Sequence, residues 1–254
     1  MKLPIIGILS GVALATLGIS GVAEAAILLP SLPPGSEYRL VFVTSGTRDA
    51  TSSDIADYNT FVQNAARGSS VLNTALTAAG FNPLSISWTA IASTSAVNAR
   101  VNTQTQATDT SRPIYRLDGA LVATSYTDLW DGFIGYPINV TESGTSIAGT
   151  PGTAVWTGTL QDGTSPGSQL GSLGAVSVRG FVGFVLGTNV LVVDFRWVNT
   201  GAEPSNNFLP VYGISSVLAV PTAPPAATPE PSSLLGFITL GGLMLGGAVR
   251  KARK

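Results

Sequence analysis

The 254-residue chain has no cysteine and no histidine, and its lysines stand only at positions 2, 251 and 254. Without cysteine there are no disulfides and no thiolate metal sites, so packing and hydrogen bonds must supply all the stability. Without histidine there is no Ser-His-Asp triad, no Cys-His dyad and no histidine-ligated zinc. An enzyme built on this chain would have to use carboxylates or tyrosine, because the lysines Lys2, Lys251 and Lys254 lie outside any segment able to fold as a domain. Between Ala26 and Thr228 there are eight arginines, no lysine and twelve aspartates or glutamates. That stretch is mildly acidic and offers no basic stripe to neutralise a phosphate backbone, which argues against nucleic acid as a partner.

What is present concentrates first at the two ends. Lys2 followed by the apolar run Ile5 to Ile19 and by Ala23-Glu24-Ala25 has the layout of a secretory signal peptide, 1–25, with cleavage after Ala25. Residues 26–220 then form the ectodomain, long enough for one domain with a real core. Residues 221–231 are rich in proline, alanine and threonine and read as an extended stalk. The stalk closes on Pro229-Glu230-Pro231. Residues 232–249 carry no charge and as a helix would reach about 27 Å, near the roughly 30 Å of a bilayer's hydrocarbon core. Arg250, Lys251, Arg253 and Lys254 come next as a stop-transfer cluster that would stay cytoplasmic by the positive-inside rule.

The motif, the apolar span and the basic cluster, in that order, resemble the PEP-CTERM sorting signal of Gram-negative bacteria and cyanobacteria. The resemblance implies an exosortase-type membrane protease as partner, transient residence in the inner membrane, cleavage near the motif, and delivery to the cell surface or extracellular matrix. The alternative is a single-pass anchor that is never cut.

Within the ectodomain, Tyr38 to Thr44 has the β-branched and aromatic content of a buried strand. Asp54 to Ala66 predicts a helix with Ser53 as N-cap and Gly68 at a left-handed C′ position. Val71 to Ala79 predicts a second short helix. Ser85 to Ile91 alternates as a strand, and Ala96 to Val101 predicts a helical turn. Tyr115 to Val122 predicts a hairpin turning at Asp118-Gly119. Ala154 to Thr159 predicts another strand, Phe181 to Leu186 and Val190 to Trp197 a pair turning at Gly187 to Asn189, and Phe208 to Val220 a last strand. The aperiodic stretches 141–153 and 164–174 read as long loops.

The words Leu40-Val41-Phe42-Val43-Thr44-Ser45-Gly46-Thr47, Trp88-Thr89-Ala90-Ile91-Ala92-Ser93, Arg112-Pro113-Ile114-Tyr115-Arg116-Leu117-Asp118-Gly119, Val155-Trp156-Thr157-Gly158-Thr159 and Phe208-Leu209-Pro210-Val211-Tyr212-Gly213 are similar to a bacterial surface family with a C-type-lectin-like fold, related to endostatin-like domains. The fold class this implies is α+β: irregular antiparallel strands, one or two N-terminal helices and long loops. The cysteines usual in that fold are absent here.

Sugar-binding lectins of the type hold calcium with a Glu-Pro-Asn triplet. Glu203-Pro204-Ser205-Asn206 is a loose echo of it, which makes calcium the one cofactor to weigh; otherwise none is expected. Calcium wants six to eight oxygens and usually several carboxylates, and the bland reading is a polar loop before an edge strand. Trp130 and Asp131, with Asp128 and Glu142, form the other candidate ligand-binding group. Tryptophans stack on sugar rings, though four in such a domain are more often core. Arg100, Arg112 and Arg116 could meet an anionic polysaccharide or simply pair with acids. The expected function is that of an exported, non-catalytic binding module for exopolysaccharide or matrix protein. A purely structural matrix or biofilm component is one alternative. A carboxylate-dependent glycan hydrolase using Asp131 and Glu142 is another.

Overall fold

The computed structural model describes residues 27–106, 112–147, 154–166, 170–171, 176–181 and 193–222. Ala23 and Ala25, the Pro229-Glu230-Pro231 motif, the apolar span 232–249 and the basic cluster lie outside the described residues, as do most of the predicted pair around Gly187. Among the described residues no helix is long and apolar enough to cross a membrane.

The protein is α+β, with a mixed six-stranded sheet and few helices. Its axis is β1 (Glu37–Val43), buried from Tyr38 onward. Both faces of this strand are covered, which is why it reads as an apolar run rather than an alternation. Tyr38, Leu40 and Phe42 join one buried cluster, with the helix residues Tyr58, Val62, Leu72 and Leu76. Val41 and Val43 join a second, with Ile114, Trp130, Trp197, Tyr212 and Ile214.

The helical cover is α1 (Ile55–Gly68) and α2 (Ser70–Ala78). The N-cap of α1 is Asp54, not the expected Ser53; its carboxylate accepts from the Ala56 N–H. Gly68 stays inside the helix instead of turning left-handed, because Ser69 ends α1 and also caps α2, its hydroxyl accepting from Leu72 N–H. One residue serving both helices leaves no room for a separate glycine turn. The second helix does end as expected, at Gly80 with φ +85°.

The remaining elements are β2 (Trp88–Ala90), α3 (Ala99–Asn102), β3 (Ile114–Arg116), β4 (Leu121–Ala123), α4 (Tyr126–Leu129), β5 (Ala154–Trp156), β6 (Val176–Phe181), β7 (Gly201–Pro204), β8 (Tyr212–Ser215) and β9 (Leu218–Ala219). The large sheet runs β2-β8-β1-β3-β4, with β9 also on β1, and β5-β6-β7 form a smaller sheet. The hairpin at Asp118-Gly119 appears as β3 and β4.

Four expectations need correction. The sheet is not wholly antiparallel: β1 and β3 run parallel, joined by the long crossover through both helices that parallel pairing requires. Phe195–Trp197 is a 3₁₀ turn rather than strand, because Asp194 caps it, accepting from both the backbone N–H and the guanidinium of Arg196. Residues 140–147 form a tight bridged turn, Val140 opposite Ser146, instead of the start of a long loop. Finally, the strand predicted for 208–220 is split. Leu40 N–H, facing the gap between β8 and β9, is taken up by Ser215 Oγ at 2.9 Å. The chain then steps out, Ser216 N–H donating to Ser87 carbonyl, before β9 rejoins β1.

Gly213 sits opposite Phe42 in the β1–β8 pairing. A Cβ there would come within 2.6 Å of Val62 and 2.7 Å of the Phe42 ring. Gly213→Ala is therefore expected to destabilise the protein by about 1–3 kcal/mol through overpacking, read as a lower midpoint in chemical denaturation.

A second expectation concerns pH. Asp118 is pushed up by burial but, on balance, held below its ordinary 3.8 by the two hydrogen bonds and the charge of Arg116; Asp194 is lowered chiefly by its hydrogen bond with Arg196. Burial raises Tyr38 and Tyr58 from 10.0 to about 12. Lowered carboxylates contribute stability above 3.8 that is lost as pH falls through their folded values. Raised phenols contribute stability below 10.0 that is lost as pH rises toward 12. With no histidine or cysteine to titrate between, unfolding free energy measured by denaturant should be nearly flat across that interval and fall at both ends.

Candidate functional site

Beside the second cluster lies a cavity of about 220 Å³ lined by Arg100, Thr105, Gln106, Tyr126, Thr127, Trp130 and Asp162. Three local structures bring these together. The helical turn α3 supplies Arg100, and the residues following it supply Thr105 and Gln106. The turn α4, capped by Ser125 Oγ on Asp128 N–H, supplies Tyr126 and Thr127 and ends at Trp130. The turn at Asp162-Gly163 closes the third side, tied on by Arg100 N–H donating to the Gly163 carbonyl.

Trp130 is mostly core: 9 % exposed and packed at 5.8 Å, centroid to centroid, on Trp197. Its indole N–H donates to Thr105 Oγ1 at 2.8 Å, which fixes the ring plane. Gly163, at φ +78°, lies against that ring; a Cβ would meet Trp130 Cδ2 at 2.8 Å. Here the Asp-Gly pair is needed both for the turn and for the close approach. Asp162 is nudged up by burial, yet two hydrogen bonds from Thr164 and the charge of Arg100 hold its carboxyl below 3.8. The cavity thus offers a cation, a fixed anion, an amide, hydroxyls and two aromatic rings. Among its described lining there is one carboxylate, kept ionised, which suits a hydrogen-bond acceptor and not a general acid.

The other sequence candidates fall elsewhere. Asp131 is exposed and accepts from Phe133 N–H in its own turn. Asp128 holds Thr124, through both N–H and hydroxyl. Glu142 is buried and anchored to Ser45, accepting from its N–H at 2.9 Å and from its hydroxyl. Each of the three acids is thus engaged at a different turn of the chain. Glu203 stands in β7, paired with β6, and accepts from Asn207 Nδ2, while Asn206 is exposed in the turn after it. The expected loop is thus strand at Glu203 and Pro204 and a turn from Ser205 to Asn207, clamped by that side-chain bond. Among the described residues no three acidic groups converge as a metal site would need. Of the arginines, Arg112 pairs with Glu37 and Arg116 with Asp118; Arg100 faces the cavity.

No protein-family model matches the chain, and no curated protein matches it. The site therefore has to be read from its own geometry. Sequence reasoning reached Trp130 and Arg100 but not Thr105, Gln106 or Tyr126, which carry no pattern of their own. The Asp162-Gly163 pair was visible as a turn, and only the fold reveals what the turn touches.

Thr105→Val keeps the shape and removes the acceptor of the Trp130 indole. It should cost about 1–3 kcal/mol, the usual penalty of a buried unmatched donor, and shift the tryptophan emission, both measurable in one fluorescence-detected urea titration.

Proposed function

We propose that this is an exported surface or extracellular-matrix protein, sorted through its PEP-CTERM-like tail, whose C-type-lectin-like domain is a non-catalytic module binding polysaccharide. The order of the tail supports the sorting: a Pro229-Glu230-Pro231 motif, an uncharged span 232–249 and the basic cluster Arg250 to Lys254. The signal-like segment ending at Ala25 agrees with it. An exosortase-type protease in the inner membrane would read the motif and remove the apolar span together with the basic cluster.

The observation that carries the binding reading is the Trp130 cavity. Its size, about 220 Å³, is below the 300–1,000 Å³ of drug-sized ligand pockets and suits one sugar residue of a longer chain. Sugar hydroxyls are both donors and acceptors, and Arg100, Asp162, Gln106 and Thr127 supply both kinds of partner around two aromatic rings. Calcium has no evident place in this arrangement. Two such carboxylates would be wanted for hydrolysis, and the described lining of the cavity supplies one.

Titration of the full chain against host exopolysaccharide, with calcium and with EDTA, tests this. Saturable binding that survives EDTA and weakens about tenfold or more in Asp162→Asn and Gln106→Ala is expected. Loss of binding in EDTA would instead make the Glu203 strand a metal site, and no binding in either buffer would favour a structural matrix role. For sorting, mass spectrometry of protein released from the cell surface should find the 250–254 tail removed; an intact tail on every molecule would sink the sorting reading.

A further inference from the structure

Arg39 is a charged residue in the middle of the fold's most buried strand, and it is 4 % exposed. It lies on the same face of β1 as Val41 and Val43. A buried guanidinium normally has a carboxylate against it, because removing an unpaired charge from water is costly. Arg39 has none among the described residues. Of the five N–H groups of an arginine, one is hydrogen-bonded, from Nη1 to the Thr103 carbonyl. The Nε is fully buried and has no partner among the described residues. The guanidinium lies over the Tyr126 ring, 5.3 Å from its centroid.

This side chain lines a cavity of about 70 Å³, together with Ser87, Thr89, Asn102, Thr103, Gln104 and Ser216. Asn102 is engaged with Asn59 and with the Ala90 carbonyl, and the Thr103 hydroxyl with the Ala99 carbonyl. The Ser87 and Thr89 hydroxyls and the Gln104 amide are committed to no hydrogen bond of the described protein. Gln104 is held at φ +56°, the one described non-glycine residue with positive φ. Burial is the main influence lowering the Arg39 guanidinium, opposed by Tyr126 and reinforced by the like charge of Arg112. It remains a cation at any ordinary pH. An unneutralised cation and three uncommitted polar groups converge on one small space.

We infer that the Arg39 cavity is a binding site for a carboxylate group, presented by a uronic-acid residue of an acidic polysaccharide. The volume has room for a few waters or one carboxylate but not for a sugar ring, so the ring would rest outside and insert its acid. A planar guanidinium fork matches a carboxylate with two parallel hydrogen bonds, and Thr89 and Gln104 can donate to the remaining lone pairs. The uronate source rests on the polysaccharide reading above; the carboxylate site does not. A hydrogen-bond chain joins the two cavities: Arg39 to the Thr103 carbonyl, the Thr103 hydroxyl to Thr105, and Thr105 to the Trp130 indole.

Thermal melts of the full chain with sodium glucuronate, sodium acetate, inorganic phosphate, glucose and sodium chloride, at matched ionic strength, test the site. Saturable stabilisation by glucuronate and, more weakly, by acetate is expected, with none from glucose or chloride. Arg39→Met should abolish the response without lowering the unliganded midpoint, since it removes an unpaired buried charge. Thr89→Val and Gln104→Ala, on the cavity rim, should weaken it about three- to tenfold while leaving the fold intact. A response no greater than that to chloride, or one unchanged in the two rim variants, would overturn the site. A stronger response to phosphate would overturn the carboxylate assignment. Glucuronate binding without any binding of neutral glycan at Trp130 would leave this site standing and remove the cavity reading above.

Discussion

Everything in this domain is arranged around having both faces and both edges of β1 covered. Helices α1 and α2 close one face, the clustered aromatics Trp130, Trp197 and Tyr212 help close the other, β3 takes one edge, and β8 and β9 share the second. With no cysteine in the chain to cross-link it, the domain coheres through burial and hydrogen bonding, much of it centred on this strand. The discontinuity between β8 and β9 would leave the Leu40 N–H exposed inside the sheet, a buried unpaired donor of the kind native proteins avoid. The Ser215 hydroxyl completes the ladder where the backbone does not.

The same arrangement creates the functional asymmetry. The helix face is packed to the point where Gly213 leaves no room for a methyl group. The opposite face is covered by short turns: α3, whose Ala99 N–H donates to Ser93 Oγ, α4, capped by Ser125, and the Asp162 turn with its own Asx contact. Turns cover a sheet less completely than helices do, and the two small cavities lie along their seams. Thr105 sits at the centre of that region, receiving the Trp130 indole and meeting the Thr103 hydroxyl, so the two cavities share a wall made of hydrogen bonds.

Much of this was legible in the residues, for identifiable reasons. The run at Tyr38 to Thr44, the helix predicted from Asp54 to Ala66, and the Asp118-Gly119 turn depend on local chemistry, and each appeared within a residue or two of where its pattern placed it. What was not legible depended on distant partners. The parallel β1–β3 pair is set by topology, and the break after Ser215 by a donor 175 residues away in sequence. The 3₁₀ turn at Phe195 arises from one capping aspartate against strand-like composition. The Trp130 cavity needed three separate turns to meet, and nothing in the residues around Arg39 pointed to its unpaired burial. The tail is a different matter: its pattern stands in the sequence, beyond the described residues.

One geometric detail bears on how such a domain behaves when held. Gly35 N–H donates to the Val220 carbonyl, and Val220 N–H to the Ser36 carbonyl, each at 2.9 Å. The residues that lead into β1 and those that follow β9 therefore lie side by side on one edge. Tension applied beyond residue 222 would fall on β9, which is held to β1 by only two residue pairs, Glu37 with Ala219 and Tyr38 with Leu218. Those pairs would open one after another, as a zip does, instead of sharing the load in shear. Under such a load the first yield would be this short clasp, two residues beyond the Ser216 wall of the Arg39 cavity.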